Sequence, residues 1–247
     1  MNKKLYYSQL KQDKFLNEHI FKNFYNGIFL DLGAYDGITF SNTYFFEKNL
    51  NWVGWCFEPI KKYYNEMRKI RKCKCYNNCI SDKTGIVNFN FFPQNPMSSG
   101  VLNNNNIKDK IIIIKSETIK IKDFLKDNNI KNIHLLSLDI EGNEEKILNN
   151  INFNETFIHI VCFEDNHNKK ICDKTLKRNN FILIKHCGFD KIYINKKSRF
   201  FSWKYIFYIL EANIINKIYT KNTRYLLKKI TKRFPKINII LRRILNI

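Results

Sequence analysis

Acidic residues stand at the ends of five apolar stretches of the sequence. These residues are Asp31, Glu58, Asp82, Asp139 and Glu164. A carboxylate can accept hydrogen bonds from hydroxyl groups, attract a cationic ligand, or take a proton from a reacting hydroxyl. Acidic residues without such a task are expected on exposed helix faces instead. Their shared position therefore indicates a ligand site built from strand ends.

The elements that carry these residues alternate between strands and helices. Strands are predicted at 27–32, 52–58, 74–80, 85–92, 111–121, 133–139, 156–164 and 181–195. Helices are predicted at 39–50, 60–71, 144–151 and 169–179. This order is typical of an α/β fold with a mostly parallel sheet and helices on both faces, in which ligands bind beyond the carboxyl ends of the strands. We expect 27–32 near the middle of the sheet and 181–195, as an antiparallel pair, at one edge.

The turn from Asp31 to Gly37 connects the first strand to the first helix of this pattern. Gly33 would let the chain turn tightly, and Gly37 would let the backbone approach a ligand. Glu58 stands 21 residues beyond Gly37, where an acid can accept hydrogen bonds from both hydroxyls of an adenosine ribose. Asp82 is placed to meet the adenine amino group. The pattern predicts an adenosine cofactor.

Charge decides which adenosine cofactor suits this turn. A dinucleotide brings a pyrophosphate to it, and the carboxylates of Asp31 and Asp36 would repel phosphate. S-adenosylmethionine carries no phosphate, and its ammonium and sulfonium groups would be attracted. We therefore predict S-adenosylmethionine rather than a nicotinamide cofactor. The predicted cofactor-binding residues are Asp31, Gly33, Tyr35, Asp36, Gly37, Thr39, Glu58, Pro59, Ser81, Asp82 and Asp139.

Longer motifs carry a family resemblance. They are Tyr7-Ser8-Gln9 with Gln12-Asp13, FLDLGAYDGITFSNTYFFEK (29–48), WVGWCFEPIKKYY (52–64), ISD (80–82), SSG (98–100), LLSLDIEGNEEKIL (135–148) and CFED (162–165). In their order and spacing the chain resembles the FkbM-type methyltransferases. The resemblance implies a Rossmann-like class I methyltransferase fold and O-methylation, often of sugars in glycans or natural products. Two features depart from the family pattern: Glu145 and Lys146 after the D-x-E-G motif at 139–142, and the basic segment from residue 198 onward.

Catalytic candidates lie at the fourth and fifth strand ends of the core pattern. A sugar hydroxyl is a poor nucleophile, so we expect a base or a metal beside it. Asp139 is the first choice for positioning the acceptor or taking its proton, because a carboxylate that closes an apolar strand is costly unless it serves a ligand. Glu164 is a second candidate, Glu141 a third that could instead orient its turn or cap the next helix, and His167 a fourth, in a polar loop. Asp139 and Glu164 could hold a divalent cation through oxygen ligands, but the sequence is not enough to predict one.

The amino-acid composition limits which classes of binding partner and which cellular compartment suit the chain. The chain has 43 basic and 22 acidic residues among 247, which gives a formal charge of +21. This charge suits an anionic partner such as nucleic acid, a membrane surface or a phosphorylated substrate, or else belongs to a solvated lysine-rich surface. Seven irregularly spaced cysteines give no four-ligand zinc set and predict reduced thiols in the cytoplasm. We expect neither a signal peptide nor a spanning helix.

Residues 1–197 are predicted to form the methyltransferase domain, with a helical lead-in at 1–26. Residues 198–247 are predicted to form a basic amphipathic helical extension, which holds 12 Lys and Arg residues against the single acid Glu211. We expect this extension either to dock on an anionic surface, which would be a membrane face or a partner, or to pack on the domain. The aromatic residues expected to make the docking contacts are Phe200, Phe201, Trp203, Tyr205 and Phe207.

The function expected from these observations is S-adenosylmethionine-dependent O-methylation of a sugar or glycan, in the cytoplasm and with peripheral membrane association. One alternative is a methyltransferase for an RNA cap or ribose, which the net charge favours. However, the basic residues of 1–197 are spread along helices, and the sequence has no aromatic base-stacking motif of a known RNA module. A second alternative is a non-catalytic binding protein that keeps the fold, against which the strand-end carboxylates argue.

Overall fold

The computed structural model describes residues 5–101, 111–165 and 170–220. Within these residues the chain forms ten strands in two sheets. In chain order they are β1 (Ile28–Leu32), β2 (Val53–Phe57), β3 (Lys74–Tyr76), β4 (Cys79–Ser81), β5 (Gly85–Phe91), β6 (Ile112–Lys120), β7 (Asn132–Leu138), β8 (Phe157–Glu164), β9 (Phe181–Cys187) and β10 (Asp190–Asn195). β4, β5 and β6 form a small sheet of their own, and the other seven strands form the main sheet.

The main sheet has the strand order β3-β2-β1-β7-β8-β10-β9. β1 pairs in parallel with β2 and β7, and β10 runs antiparallel to both of its neighbours. The central parallel strands are almost continuous apolar runs because both faces of the sheet are covered. The predicted fold is confirmed, including the strand at 27–32 near the middle and the antiparallel pair at one edge.

Helices connect the strands and cover both faces of the main sheet. They are α1 (Gln12–Phe15), which continues as a π-helical segment (Leu16–Phe21), α2 (Tyr44–Leu50), α3 (Lys61–Ile70), α4 (Ile121–Asp127), α5 (Glu144–Asn150), α6 (Lys170–Arg178) and α7 (Ile206–Thr220). Short 3-10 turns lie at Pro96–Ser98 and Trp203–Tyr205.

Alternate side chains of the strands enter two hydrophobic cores, because successive residues of a strand point to opposite faces. On β1, Leu30 and Leu32 enter one core and Phe29 enters the other. α4, α5 and α6 pack into the first core, and α1, α2, α3 and α7 pack into the second. The two layers of helices leave the carboxyl edge of the sheet as the place where a ligand can enter.

The first predicted helix, 39–50, begins only at Tyr44. Oγ of Ser41 accepts hydrogen bonds from the N–H groups of Thr43 and Tyr44, at 3.2 and 3.0 Å. These bonds hold the preceding residues as a loop, in which Phe40 has φ +57° and is 47% exposed. The polar residues of this segment favour the loop over an additional helical turn.

The predicted third strand is divided in two. β3 pairs with β2 in the main sheet, whereas β4 pairs with β6 in the small sheet. Between them the side chain of Asn77 donates hydrogen bonds to the carbonyls of Glu58 and Pro59, at 2.9 and 3.0 Å, and this interrupts the strand. Ser81 therefore ends a strand of the small sheet, and Asp82 follows it, whereas both were predicted to follow a strand of the main sheet.

The C-terminal part of the described chain packs on the second face of the main sheet. α7 lies against β9, and Tyr205 and Ile209 are buried. Phe200 makes edge-to-face contacts with Phe21 and Phe24. The start of the predicted extension therefore contacts the core, and its residues 221–247 lie outside the described chain. Among the described residues, no helix is long and apolar enough to cross a membrane.

Candidate functional site

A cavity of about 330 Å³ lies at the carboxyl edge of the main sheet. Its walls come from the turns after β1 and β7, the segment after β2, the residues around β4 and the loop before residue 101. Nine of the predicted site residues line it, namely Asp31, Gly33, Tyr35, Thr39, Glu58, Pro59, Asp139, Glu141 and Glu164. The fold thus brings residues from four strand ends together around one space.

Hydrogen bonds at the start of the turn at Gly33 connect the end of β1 to the ends of both neighbouring strands. The Gly33 N–H donates to the carbonyl of Phe57 at 3.1 Å, and the N–H of Asp139 donates to the carbonyl of Leu32 at 2.9 Å. Gly33 has φ +88°, and a Cβ there would overlap the backbone carbonyl of Asp139. A side chain at this position would force β1 and β7 apart where the cavity begins. Gly33 therefore fixes the spacing between the first turn and Asp139.

Glu58 presents a firmly held carboxylate to the cavity. Its Oε2 accepts a hydrogen bond from the N–H of Tyr35 at 3.0 Å, and its Oε1 accepts one from the N–H of Ile60 at 2.8 Å. Burial raises the pKa of Glu58 to about 8, although both N–H groups favour the charged form. Each carboxylate oxygen can accept a further hydrogen bond. A ligand with two neighbouring hydroxyl groups would find both acceptors on one rigid side chain.

Asp31 lies deeper in the cavity wall. Its Oδ2 accepts a hydrogen bond from Oγ1 of Thr43 at 2.5 Å, and the guanidinium of Arg71 is 3.9 Å away. Arg71 is itself buried and is paired with Glu47 at 2.5 Å. Burial raises the pKa of Asp31, and the charge of Arg71 opposes this effect. The charge of Arg71 and the hydrogen bond from Thr43 thus offset part of the cost of burying the Asp31 carboxylate.

Asp36 and Gly37 do not line the cavity. Oδ1 of Asp36 accepts hydrogen bonds from the N–H groups of Ile38 and Thr39, at 2.9 and 2.7 Å, and so holds its own turn. A Cβ at Gly37 would meet the side chain of Arg71, which donates to the Gly37 carbonyl at 3.0 Å. Gly37 makes room for this buried arginine and not, as predicted, for a ligand.

Ser81 and Asp82 do not line the cavity either. Oγ of Ser81 donates to the Asp82 carboxylate at 2.9 Å, and this bond lowers the pKa of Asp82. At this side of the cavity the wall consists of Asn78, Cys79 and Ile80 instead. Because the predicted third strand is divided, Asp82 follows β4 of the small sheet and does not lie at the carboxyl edge of the main sheet, where it was expected.

Beyond β7 and β8 the cavity wall is acidic. Carboxylate oxygens of Asp139, Glu141 and Glu164 lie within 4.8 Å of one another. Asp190, the first residue of β10, stands opposite Glu164 in the antiparallel ladder and lines the same wall. Although Asp139 is exposed as a residue, its carboxyl group lies among other carboxyl groups, and desolvation together with the charges of Glu164, Asp190 and Glu141 raises its pKa above the ordinary value. When ionised, a carboxylate with a raised pKa holds a proton more strongly than a solvated aspartate does.

The same oxygens define where a metal could bind. Carboxylates at this spacing suit a hard divalent cation, and the residues that could hold it are Asp139, Glu141 and Glu164. The acidic wall can therefore serve either as a proton acceptor or as a set of cation ligands.

Glu144 holds the turn that carries Glu141. Its Oε1 accepts hydrogen bonds from the N–H groups of Ile140 and Gly142, at 3.2 and 3.1 Å. Glu141 has φ +54°, a left-handed conformation that is uncommon for residues other than glycine. A Cβ at Gly100 would meet the Cβ of Glu141, so the neighbouring loop packs closely on this turn. Orienting the turn, a role considered for Glu141, is performed by Glu144.

Several polar residues in the wall were not assigned to the site from the sequence, although some of them lie in the motifs that carry the family resemblance. The uncharged ones are Gln9, Gln12, Ser41, Asn42, Asn78, Asn95, Ser98, Ser99, Ser137 and Asn143. The Gln12 side-chain amide donates a hydrogen bond to Asp190. The side-chain oxygens of Asn42 and Asn143 are buried and have no hydrogen-bond partner within the described residues. The antiparallel pair was the available signal for Asp190, since a strand running in the opposite direction begins at the carboxyl edge.

The remaining catalytic candidate, His167, lies outside the described residues. Among the described residues that line the cavity there is no lysine, arginine or histidine. Six carboxyl groups line it, from Asp31, Glu58, Asp139, Glu141, Glu164 and Asp190. A protein with a formal charge of +21 thus encloses an acidic cavity.

Comparison with known proteins identifies the family of the chain. The methyltransferase FkbM domain matches residues 31–191, which is more than half of the chain and includes the strand ends around the cavity. Comparison with curated proteins gives no match. The matched segment begins at Asp31 and ends one residue beyond Asp190, so it spans the acidic residues of the cavity wall. The chain belongs to the family of FkbM-domain methyltransferases.

Proposed function

We propose that this methyltransferase uses S-adenosylmethionine to methylate a hydroxyl oxygen of a sugar or glycan. The observation that carries the proposal is the charge of the cavity, which has six carboxyl groups and, among the described residues, no basic side chain. A ligand with phosphate groups would oppose ionisation of these carboxyl groups and be repelled by them, whereas a ligand with an ammonium and a sulfonium would favour their ionised form and be attracted. S-adenosylmethionine is an adenosine cofactor with this charge.

The half of the cavity near β1 and β2 suits the adenosine part of the cofactor. Glu58 offers two acceptor oxygens on a side chain fixed by the N–H groups of Tyr35 and Ile60. Two such acceptors match the two hydroxyl groups of a ribose. Asp31 lies between this half and the acidic wall, where it would face the ammonium group.

The half of the cavity near β7 and β8 suits the acceptor. Neutral amides from Gln12, Asn42 and Asn143 line it, and two of their oxygens lack a partner within the described residues. Amide groups of this kind can donate to and accept from the hydroxyl groups of a sugar. They provide hydrogen-bond recognition without demanding a charge on the acceptor.

Asp139 is the residue we assign to the reacting proton. When bound, S-adenosylmethionine supplies an activated methyl group. In its ionised form, which a bound cationic cofactor would favour, Asp139 can accept the proton that the acceptor hydroxyl loses. Glu164 and Asp190 keep the pKa of Asp139 high by their negative charge, and Glu144 holds the turn on which the acidic wall is built. Alignment of the hydroxyl with the methyl group would supply much of the rate.

An RNA methyltransferase for a cap or ribose is the second candidate, because the formal charge of +21 favours a polyanion. The acidic wall argues against it, since an RNA acceptor must bring its phosphates close to the reacting hydroxyl. A non-catalytic binding protein is the third candidate. It has no need for a carboxyl with a raised pKa in contact with the ligand space.

The test measures cofactor binding and methyl transfer separately. By calorimetry, S-adenosylmethionine should bind, whereas NAD, which carries a pyrophosphate, should not. Radiolabelled methyl groups should then appear in a pool of glycans and not in a pool of total RNA. Transfer to RNA alone would replace the first proposal by the second candidate, and cofactor binding without transfer to either pool would favour the third.

A further inference from the structure

Helix α7 has one face fixed on the protein. Tyr205, Ile209 and Ala212 are buried against the core. The Tyr205 hydroxyl donates to the carbonyl of His19 at 3.2 Å, which ties the start of the helix to the π-helical segment after α1. The orientation of α7 on the sheet, and therefore which of its side chains face outward, is set by these contacts.

The outward side of α7 is apolar as well. Trp203 and Phe207 are 69% and 79% exposed, and Ile206, Leu210 and Ile214 are also exposed. Spacings of three and four residues place these side chains in one stripe along α7 and the 3-10 turn that leads into it, which contains Trp203. A helix on the surface of a globular protein normally presents polar residues on this side. We call these five residues the outer stripe of α7.

Basic residues surround the outer stripe in the sequence. Lys196, Lys197, Arg199 and Lys204 precede or enter it, and all four are exposed. Residues 216–247 contain ten Lys and Arg residues and no Asp or Glu. From residue 196 to the end of the chain the single acid is Glu211, and its carboxylate is paired with Lys185 at 3.4 Å. Apolar and cationic side chains are therefore combined without competing negative charge.

We propose that the outer stripe of α7 and the basic residues around it form a docking surface for an anionic lipid bilayer. Tryptophan and phenylalanine side chains insert at the boundary between headgroups and acyl chains, and lysine and arginine side chains bind anionic headgroups. The 27 residues beyond the described helix extend the same basic composition and can add to this attraction. None of the five residues of the outer stripe lines the acidic cavity.

A second copy of the chain fits the outer stripe less well. Two copies joined through this face would bring two basic segments together, and each copy carries a formal charge of +21. Like charges at short distance oppose that association, whereas the same charges favour an anionic bilayer. Charge complementarity therefore selects the bilayer as the occupant.

The experiment uses flotation of the full-length protein with vesicles of phosphatidylcholine, with or without phosphatidylserine. Removing the chain from residue 198 would delete buried contacts of Phe200 and Tyr205, so substitutions are preferred. The double variant Phe207→Ser/Leu210→Ser removes exposed side chains of the outer stripe. Ile86→Ser, at a position that is 69% exposed on the small sheet, is the matched control.

The wild type should float with the phosphatidylserine vesicles and lose this binding in high salt. The double variant should lower vesicle affinity by about tenfold, and Ile86→Ser should leave it unchanged. Equal binding of wild type and double variant, or equal binding to both vesicle types, would overturn the proposal. A dimer in light scattering that the double variant abolishes, with no vesicle binding by the wild type, would assign the stripe to a second copy. Unchanged thermal unfolding of the variants shows that the fold is intact.

Discussion

The cavity at the carboxyl edge of the main sheet and the outer side of α7 have opposite electrostatic character. Six carboxyl groups line the cavity, and no basic side chain does so within the described residues. The outer stripe of α7 is apolar and is flanked in the sequence by lysine and arginine residues. Both belong to a chain with one net charge, +21. The net charge therefore describes what the surface attracts and says little about the ligand of the cavity.

The two regions also differ in how firmly their groups are held. Three carboxyl groups of the cavity are held by hydrogen bonds: Glu58 by the N–H groups of Tyr35 and Ile60, Asp31 by Thr43 and Asp190 by Gln12. Fixed groups select a ligand by shape and by hydrogen bonds, which is what a reaction at one atom requires. The side chains of the outer stripe are exposed and, among the described residues, are not held by hydrogen bonds to neighbouring groups. Their proposed partner, a lipid bilayer with anionic headgroups above apolar acyl chains, does not require fixed positions.

The largest effect is expected from Asp139→Asn, which removes the proton acceptor and keeps the shape of the side chain. Turnover should fall by about 10²–10⁴-fold, the usual contribution of a general base, while the affinity for S-adenosylmethionine changes by much less. Asp127→Asn, at an exposed position on α4 away from the cavity, is the matched control. Turnover is measured with the methylated acceptor, and affinity is measured by calorimetry.

Full turnover by Asp139→Asn would show that the acidic wall does not accept the proton. Assays with a chelator and with added Mg²⁺ separate the two roles of this wall. If Asp139 acts as a base, turnover should not depend on a divalent cation. If turnover of the wild type requires Mg²⁺ and Glu164→Gln has no turnover even with Mg²⁺, the oxygens of the wall serve as metal ligands.

The sequence was sufficient to predict the central strands, because a strand covered on both faces is a nearly unbroken apolar run. β1, β2, β7 and β8 lie within one residue or so of their predicted bounds. The prediction failed where side chains bond to nearby backbone. Asn77 divides the third strand through bonds to Glu58 and Pro59, and Ser41 delays the start of α2. Such bonds depend on which backbone groups come close, which the pattern of apolar residues does not contain.

The candidate site shows the same limit. Carboxyl groups at the ends of parallel strands were identified because the topology alone places them at one edge, as with Glu58 and Asp139. Asp36 was assigned to the same site but bonds to its own turn. Gly37 was assigned to a ligand but makes room for Arg71. Asp190 was missed because it begins a strand instead of ending one. It reaches the same edge of the sheet because β10 runs antiparallel to β8.

A smaller effect is expected from Glu58→Gln. The substitution keeps the size of the side chain but replaces one acceptor oxygen by an amide that cannot accept the N–H of Tyr35 or Ile60. Affinity for S-adenosylmethionine should fall by about 1–3 kcal/mol, because charged acceptors to two hydroxyl groups are lost. Turnover at saturating cofactor should change little, in contrast to Asp139→Asn. Calorimetry and saturation kinetics give the two quantities.

Glu117→Gln is the control for this variant, since Glu117 is exposed and does not line the cavity. Unchanged affinity in Glu58→Gln would remove Glu58 from the cofactor site. Affinity lost equally in Glu117→Gln would point to general attraction of the cationic cofactor rather than to a specific contact.

The smallest effect is expected in the dependence of stability on pH without ligand. Burial raises the pKa of Glu58 from 4.5 to about 8 and that of Asp190 from 3.8 to about 7. A carboxyl group whose pKa is higher in the folded state stabilises the fold at low pH, and this stabilisation is lost as pH rises through the folded-state value. Between about pH 6 and about pH 9 the wild type should therefore lose about 1–3 kcal/mol relative to Asp190→Asn/Glu58→Gln, which cannot ionise at these positions. This corresponds to a relative shift in Tm of a few degrees, about 2–4 °C per kcal/mol for a chain of this size.

Comparison of wild type and variant over the same pH range cancels the effect of the falling net positive charge, because that charge acts on both proteins. Asp127→Asn should follow the wild type. Parallel melting curves for wild type and double variant would mean that Glu58 and Asp190 are already ionised near pH 6 without ligand, and that burial does not raise their pKa values. Saturating S-adenosylmethionine should reduce the difference, because a cationic ligand stabilises the ionised form of the same groups.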